Sequence, residues 1–400
     1  MHFGVLSDPT HFHTKKWVKG LLEAGQQVSV FSFVEGEIPG ANCVKIEARY
    51  ALRGTPTYLS FLYSGKRLAQ ALEEVKVDIL NPINMTPYGV WGRKANFHPM
   101  VSIAMGADIL EYPPRGVGFE IADERRWGKE NLGNSSFIKK FIQTQKRAFF
   151  RKEVDKALKA SDFITGDNLL LVHAVRDWFG IEENKVALNR WGVEEELFEM
   201  DAEAEADLRQ KYKIAPGQKL VLSPRGMKPL YQGDIICEAF EYLLRKGREE
   251  KFLMLSAGYE VPAELDMKAK DLMAEFPNFH YQKEVIPREE ACQLWNLSEV
   301  FVSAPIYDGY SNALSEGRYM GAIPVVNDIP ATRELLLHRE NAWMVDPFEV
   351  DELSSALEEI LNNSEAWKEK FAPKNRKWIL ENAHLKSNMK AFVEACEKLL

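Results

Sequence analysis

The feature that most constrains this chain is a repeated alternation of short apolar runs with amphipathic stretches. Runs of four to eight apolar residues that alternate with helical patterns mark βαβ units and a parallel sheet. A first series of strands is predicted at His2–Ser7, Gln27–Phe33, Cys43–Glu47, Asp78–Asn81, Met100–Gly106, Asp162–Asp167 and Lys185–Trp191. Helices are predicted between them, for example over Lys15–Ala24, Tyr58–Val75 and Leu169–Trp178. A second series follows at Lys219–Pro224, Phe252–Ala257, Phe279–Val285, Val300–Ala304, Ile323–Val326 and Ala342–Val345. Between the two, Glu194–Gln218 is acid-rich, has no apolar strand and ends in Pro216-Gly217, which reads as a linker plus a helix. The expectation is two α/β domains, 1–197 joined by a final helix at 387–400, and 198–386.

The length of 400 residues allows two or three domains, each with its own core. A formal net charge of −8 argues against nucleic acid as a partner. Cys43, Cys237, Cys292 and Cys396 form no metal-ligand spacing and read as free thiols of a reducing cytoplasm. The segment Met1–Asp8 lacks the basic region of a signal peptide, and no apolar run is long enough for a membrane span. The expected location is cytoplasmic, with peripheral contact at the inner membrane face as an extension of that reading.

Ligands of open α/β sheets bind beyond the carboxyl ends of the strands, so function is sought in the loops that follow them. The richest is Val302–Val326, which reads as strand, loop, helix, glycine turn and strand. Asp308 falls on the loop and Glu316 eight positions on, about two helical turns further. Gly309, Tyr310 and Ser311 are placed at the helix start, where unpaired backbone N–H groups and the helix dipole suit a diphosphate. The competing reading makes Asp308 a helix cap and Glu316 a solvated helix residue.

This segment resembles the acidic-x7-acidic signature of retaining glycosyltransferases of family 4, which have the GT-B fold: two Rossmann-like domains facing across a cleft, with a C-terminal helix returning to the first. Asp328–Glu334 and Glu340–Pro347 resemble the stretches that follow the signature in that family. The resemblance implies that Asp308 contacts the donor sugar and Glu316 the ribose of a nucleotide sugar. The commoner residue at the first position is Glu, and one branch of the family carries Asp-Gly-x-Ser, as this chain does.

Breaking a sugar–phosphate bond leaves charge on the diphosphate, which some group must stabilise. The chain has no Asp-x-Asp metal motif, so neither a metal nor another cofactor is expected and side-chain cations take that role. Ser223-Pro224-Arg225-Gly226-Met227-Lys228 resembles the family's strand-end motif, which puts Ser223 at the donor site and makes Arg225 the diphosphate ligand, its planar fork suited to two oxygens. The family's lysine precedes a glycine. Here Gln232 precedes Gly233, so either Lys228 reaches in from earlier in the loop or Arg225 acts with the helix N-terminus alone.

On the N-terminal side, the loop Ser7–Thr14 offers His11 and His13 as acceptor contacts, against the reading that they pack or cap. Met105–Leu110 resembles a Gly-Ser-Asp segment seen in part of the family. Asp108 is accordingly expected either to orient the acceptor or to serve as a turn residue. Trp191–Phe198 resembles the family's join between domains. From Lys129 to Lys159, nine Lys or Arg face three acids, a net +6. Phe137, Ile138, Phe141, Ile142 and Phe149 recur there at helical spacing. Membrane contact through 137–159 stands beside a core-facing stripe with a solvated basic face.

The expected activity is metal-independent, retaining transfer of a hexose-type sugar from a nucleotide-sugar donor to a saccharide, a lipid-linked acceptor or a small metabolite. The alternatives are a GT-B nucleotide-sugar epimerase and a non-catalytic nucleotide-binding partner of a glycosyltransferase. A phosphorylase is disfavoured for want of a lysine motif for pyridoxal phosphate. An NAD-dependent oxidoreductase is disfavoured because no Gly-x-Gly-x-x-Gly follows the first strand.

Overall fold

The structure, a computed structural model, describes residues 1–52, 55–114, 137–346 and 349–400, with backbone alone at 137–144. The chain divides into two compact units, Met1–Trp191 with Leu385–Leu400, and Gly192–His384.

The first unit is built on parallel strands β1 (His2–Leu6), β2 (Gln27–Ser32), β3 (Asn42–Lys45), β6 (Ile79–Pro82), β7 (Val101–Ala104), β8 (Phe163–Gly166) and β9 (Val186–Leu188). A small antiparallel pair, β4 (Ala51–Leu52) and β5 (Thr55–Pro56), stands apart. The main strands form two sheets, β3-β2-β1-β6 and β7-β8-β9. They are stitched by parallel bridges Leu80–Met100 and Ile83–Ile103, giving the running order β3-β2-β1-β6-β7-β8-β9. The order reverses between β1 and β6, because the chain leaves β1 for one side of the sheet and later returns on the other.

Both faces of these strands are covered, which is why they read as unbroken apolar runs. Phe3, Val5, Ile79, Val101 and Ile103 are buried, and Trp17 and Trp191 pack against each other at 4.9 Å between ring centroids. The helix Leu385–Glu397 completes this core: Phe392 sits edge-on to Trp17 at 4.8 Å, and Met389 lies where a side chain on Gly20 would otherwise be.

The second unit has β10 (Leu220–Ser223), β11 (Lys251–Leu255), β12 (Phe279–Gln282), β13 (Ser298–Ser303), β14 (Ile323–Asn327) and β15 (Trp343–Val345). All six are parallel, in the order β12-β11-β10-β13-β14-β15. The reversal here falls between β10 and β13. Helices Gly233–Arg245, Ala263–Glu275 and Val350–Asn362 bury one face of the sheet, while Ala202–Tyr212, Arg288–Leu297 and Asn312–Met320 bury the other.

The acid-rich stretch is part of the second unit. Asp201 caps the helix Ala202–Tyr212, accepting from the Ala204 N–H at 2.8 Å, and Leu208 and Tyr212 are buried. Trp191 belongs to the first core and Val193 and Phe198 to the second, so the division falls between Trp191 and Gly192. No described helix is long and apolar enough to cross a membrane.

If Leu385–Glu397 holds the first core together, Phe392→Ala should cost about 3–5 kcal/mol, the usual range for a buried phenylalanine. In denaturant, the transition of the first unit should move to lower concentration while that of the second stays in place.

Candidate active site

The strongest sequence candidates meet at the order reversal of the second sheet. Arg225 leaves the end of β10 and Asp308 the end of β13, which are paired neighbours. The Arg225 guanidinium donates through Nη1 to Asp308 Oδ2, and to Ser311 Oγ at 2.8 Å. Through Nη2 it donates to Asp308 Oδ1 at 3.4 Å and to the Tyr231 hydroxyl at 3.2 Å. It also lies over the Tyr231 ring, 4.5 Å from the centroid. Burial opposes the arginine's charge, but the Asp308 carboxylate outweighs it and raises the pKa above the ordinary arginine value. A buried guanidinium is tolerated because its donors are met in this way.

Two backbone features shape the loop after β10. Gly226 has φ of +86°, and a Cβ there would stand 2.6 Å from the Ser256 carbonyl oxygen. A side chain at 226 would thus push the loop away from the turn after β11. Gln232, with φ of +49°, donates from Nε2 to the Ala304 carbonyl at 2.9 Å, tying the start of the helix Gly233–Arg245 to the end of β13. Gln232 is therefore committed to backbone. Lys228 places its ammonium 4.7 Å from the Tyr231 centroid and 4.0 Å from the Tyr259 centroid. Burial beside Tyr231 pushes the Tyr259 hydroxyl up to about 12. Ser223 is buried at the end of β10.

The helix after β13 begins at Asn312, later than the Gly-Tyr-Ser run expected at its start. Ser311 is its N-cap and accepts from the Leu314 N–H at 3.2 Å. The Gly309 N–H is directed to Asp308 Oδ1 at 3.0 Å, and Tyr310 is buried among the apolar residues of this unit. Glu316 is almost fully buried rather than solvated. It accepts from both terminal nitrogens of Arg288, at 3.1 Å from Nη1, and from Trp295 Nε1 at 3.3 Å. Tyr231, Tyr259, Arg288 and Trp295 were not singled out by the sequence, because nothing in its spacing shows which distant side chains converge on 225 and 316.

In the first unit, the candidate loops follow β1 and β7. His11 is the N-cap of the helix Phe12–Glu23, its Nδ1 accepting from the His13 N–H at 3.3 Å, and burial lowers its pKa. His13 packs tilted against Phe12 at 3.8 Å and meets Trp191 edge-on at 5.5 Å. Asp108 is buried and accepts from the N–H groups of Met85 at 2.7 Å, Met105 at 3.0 Å and Gly106 at 2.9 Å. It thereby pins the end of β7 to the segment after β6. Burial pushes its carboxyl up to about 6, against the pull of those donors.

The side chains of Phe137, Ile138, Phe141 and Ile142 in the basic helix Phe137–Ala160 lie outside the described residues. Further along, Val154, Ala157 and Leu158 are buried, and Phe149 is exposed.

Residues 5–130 match the family described as Glycosyl transferase 4-like, and residues 204–378 match Glycosyl transferases group 1. No curated protein sequence matches the chain. Among solved structures it is similar to sucrose-phosphate synthase from Thermosynechococcus elongatus, with 12% identity, 100% and 99% of the two chains covered and a TM-score of 0.76. It is also similar to HepE from Anabaena in complex with UDP-glucose, with 13% identity, full cover of both chains and a TM-score of 0.72. A third is a glycosyltransferase from Rickettsia africae, with 14% identity, 100% and 98% cover and a TM-score of 0.71. The fold is GT-B. With a glycosyltransferase family matched in each unit, these findings support a GT-B glycosyltransferase.

The Asp108 carboxyl gives a pH signature. Its folded-state value lies above that of an unfolded aspartate, so its contribution to stability is fully present below about pH 4 and is lost as the pH rises through about 6. In Asp108→Asn, stability should change less between these limits, by an amount on the order of 3 kcal/mol. Denaturant titrations of both proteins across that range check it.

Proposed function

We propose that this chain transfers a sugar from a nucleotide-diphosphate sugar to an acceptor hydroxyl, with retention of anomeric configuration and without a metal ion. The observation that carries the reading is the convergence of Arg225, Asp308 and the Ser311 cap at the order reversal between β10 and β13.

In this reading, Arg225 stabilises the charge that develops on the leaving diphosphate. Its direction is already set by Asp308, Ser311 and the face of Tyr231, and a preorganised donor does not have to reorient as charge develops. Lys228, held against the rings of Tyr231 and Tyr259, supplies the second positive charge in place of the lysine that would precede Gly233. The N-terminus of Asn312–Met320 adds its dipole. Asp308 contacts the donor sugar, with Gly309 and Tyr310 lining the same loop. Glu316, oriented by Arg288 and Trp295, takes the ribose hydroxyls. The leaving phosphate accepts the proton of the acceptor hydroxyl on the same face of the sugar, so no covalent nucleophile is used.

On the acceptor side, Asp108 acts by positioning the β7 loop, and His11 and His13 line the loop after β1. The acceptor is a saccharide, a lipid-linked saccharide or a small metabolite. HepE structures hold UDP, glucose and UDP-glucose, which favours a UDP-sugar as the first donor to test.

The test is a thermal-shift panel of UDP-, GDP- and ADP-glucose in chelator, followed by transfer assays with the donor that binds. One of them should stabilise the wild type. Arg225→Ala should lose most of that shift and about 10²–10³ in kcat, and Lys228→Ala should lose less. No shift by any nucleotide sugar or diphosphate at millimolar concentration would overturn the donor site.

A further inference from the structure

Of the nine large apolar side chains exposed in the first unit among the described residues, five fall on two short segments: Tyr50, Leu52, Leu59 and Tyr63 on one, Phe149 on the other. They project well into solvent, Leu52 being 70% exposed and Tyr63 60%. The two segments adjoin. Tyr50 and Tyr63 meet at 5.6 Å between ring centroids. Tyr58, beside Leu59, meets Phe149 at 6.1 Å and Phe150 at 4.7 Å. The Tyr50 carbonyl accepts from the Ser60 hydroxyl at 2.6 Å and from the Thr57 hydroxyl at 2.8 Å, which holds the pair β4–β5 against the helix Tyr58–Tyr63.

Charge sorts with these residues. Among its described residues, the stretch 48–72 contains Arg49, Lys66 and Arg67 and no acid. Among the described residues, 145–152 contain Lys146, Arg147 and Lys152 with no acid. Both lie in a chain whose net charge is −8. The Arg49 guanidinium sits 5.6 Å over the Tyr50 ring and the Lys146 ammonium 5.9 Å over that of Phe150, so cation and ring share one surface.

We propose that this surface of the first unit docks onto an anionic lipid bilayer. Cations alone would suit any polyanion. Outward Leu, Tyr and Phe side chains gain from leaving water for an apolar environment. The boundary between head groups and acyl chains offers both, and Tyr and Leu beside Arg and Lys are the residues that anchor there. Cations near an anionic membrane add attraction that falls off within a Debye length, so binding must weaken with salt. The inference does not depend on the transferase reading, since it concerns binding with no donor present.

The test is flotation of the full chain with vesicles of phosphatidylcholine alone and of phosphatidylcholine with 30% phosphatidylglycerol, at ~0.1 M and ~0.5 M salt. Partition onto the anionic vesicles should exceed that onto neutral ones at least tenfold and fall at high salt. Leu52→Ser with Tyr63→Ser should lower it about tenfold with an unchanged melting temperature. Arg49→Ala with Lys66→Ala should lower it on anionic vesicles only. Absence of flotation at low salt overturns the proposal, as does equal flotation of wild type and the serine variant. A wild type that self-associates through these residues and ignores vesicles overturns it too.

Discussion

The parallel pairing of β10 with β13 is the constraint on which the C-terminal site depends. These strands are neighbours in the sheet although the crossovers that follow them run to opposite sides. Right-handed crossovers leave the carboxyl ends uncovered at that one place. Arg225 and Asp308, 83 residues apart, meet there. The glycine at 226 lets the first loop lie against the turn after β11, and Gln232 ties the next helix to the end of β13. The strand order fixes the pair, and the pair then organises Ser311 and Tyr231.

Charge in this unit is balanced locally. Arg225 is matched by Asp308, and Arg288 by Glu316. Each pair is largely buried, where a lone charge would be costly, and each has further donors or acceptors that satisfy its geometry. Lys228 follows a different principle: it rests on the faces of two tyrosines instead of a carboxylate. Under the transferase reading, an incoming diphosphate therefore finds one cation held by an acid and one held by rings.

Most of the fold was legible because strands buried on both faces read as continuous apolar runs, and every run placed in the sequence corresponds to a strand, with ends moved by at most three residues. The pair β4–β5 was not legible: each strand has two residues and faces solvent, so no apolar pattern marks it. The single helix expected over Tyr58–Val75 breaks at Ser64, where Gly65 lies so close to the Lys94 carbonyl that no side chain fits. Within the candidate site, Arg225, Asp308 and Glu316 could be singled out because motif spacing is a one-dimensional property. The partners that hold them were not, because Arg288 and Tyr259 reach the site only through the order of strands in the sheet.

The helix Leu385–Glu397 gives this architecture a temporal side. Phe3, Trp17 and Trp191 are finished as a core only by Met389, Phe392 and Cys396. During synthesis the second unit, a continuous segment, is translated in full before those residues are made. The first unit must wait with an apolar groove open along its early strands, while every residue of the second core emerges earlier. The half of the protein that is translated first is thus the half that matures last, and its unfinished surface is the one a chaperone would have to shield.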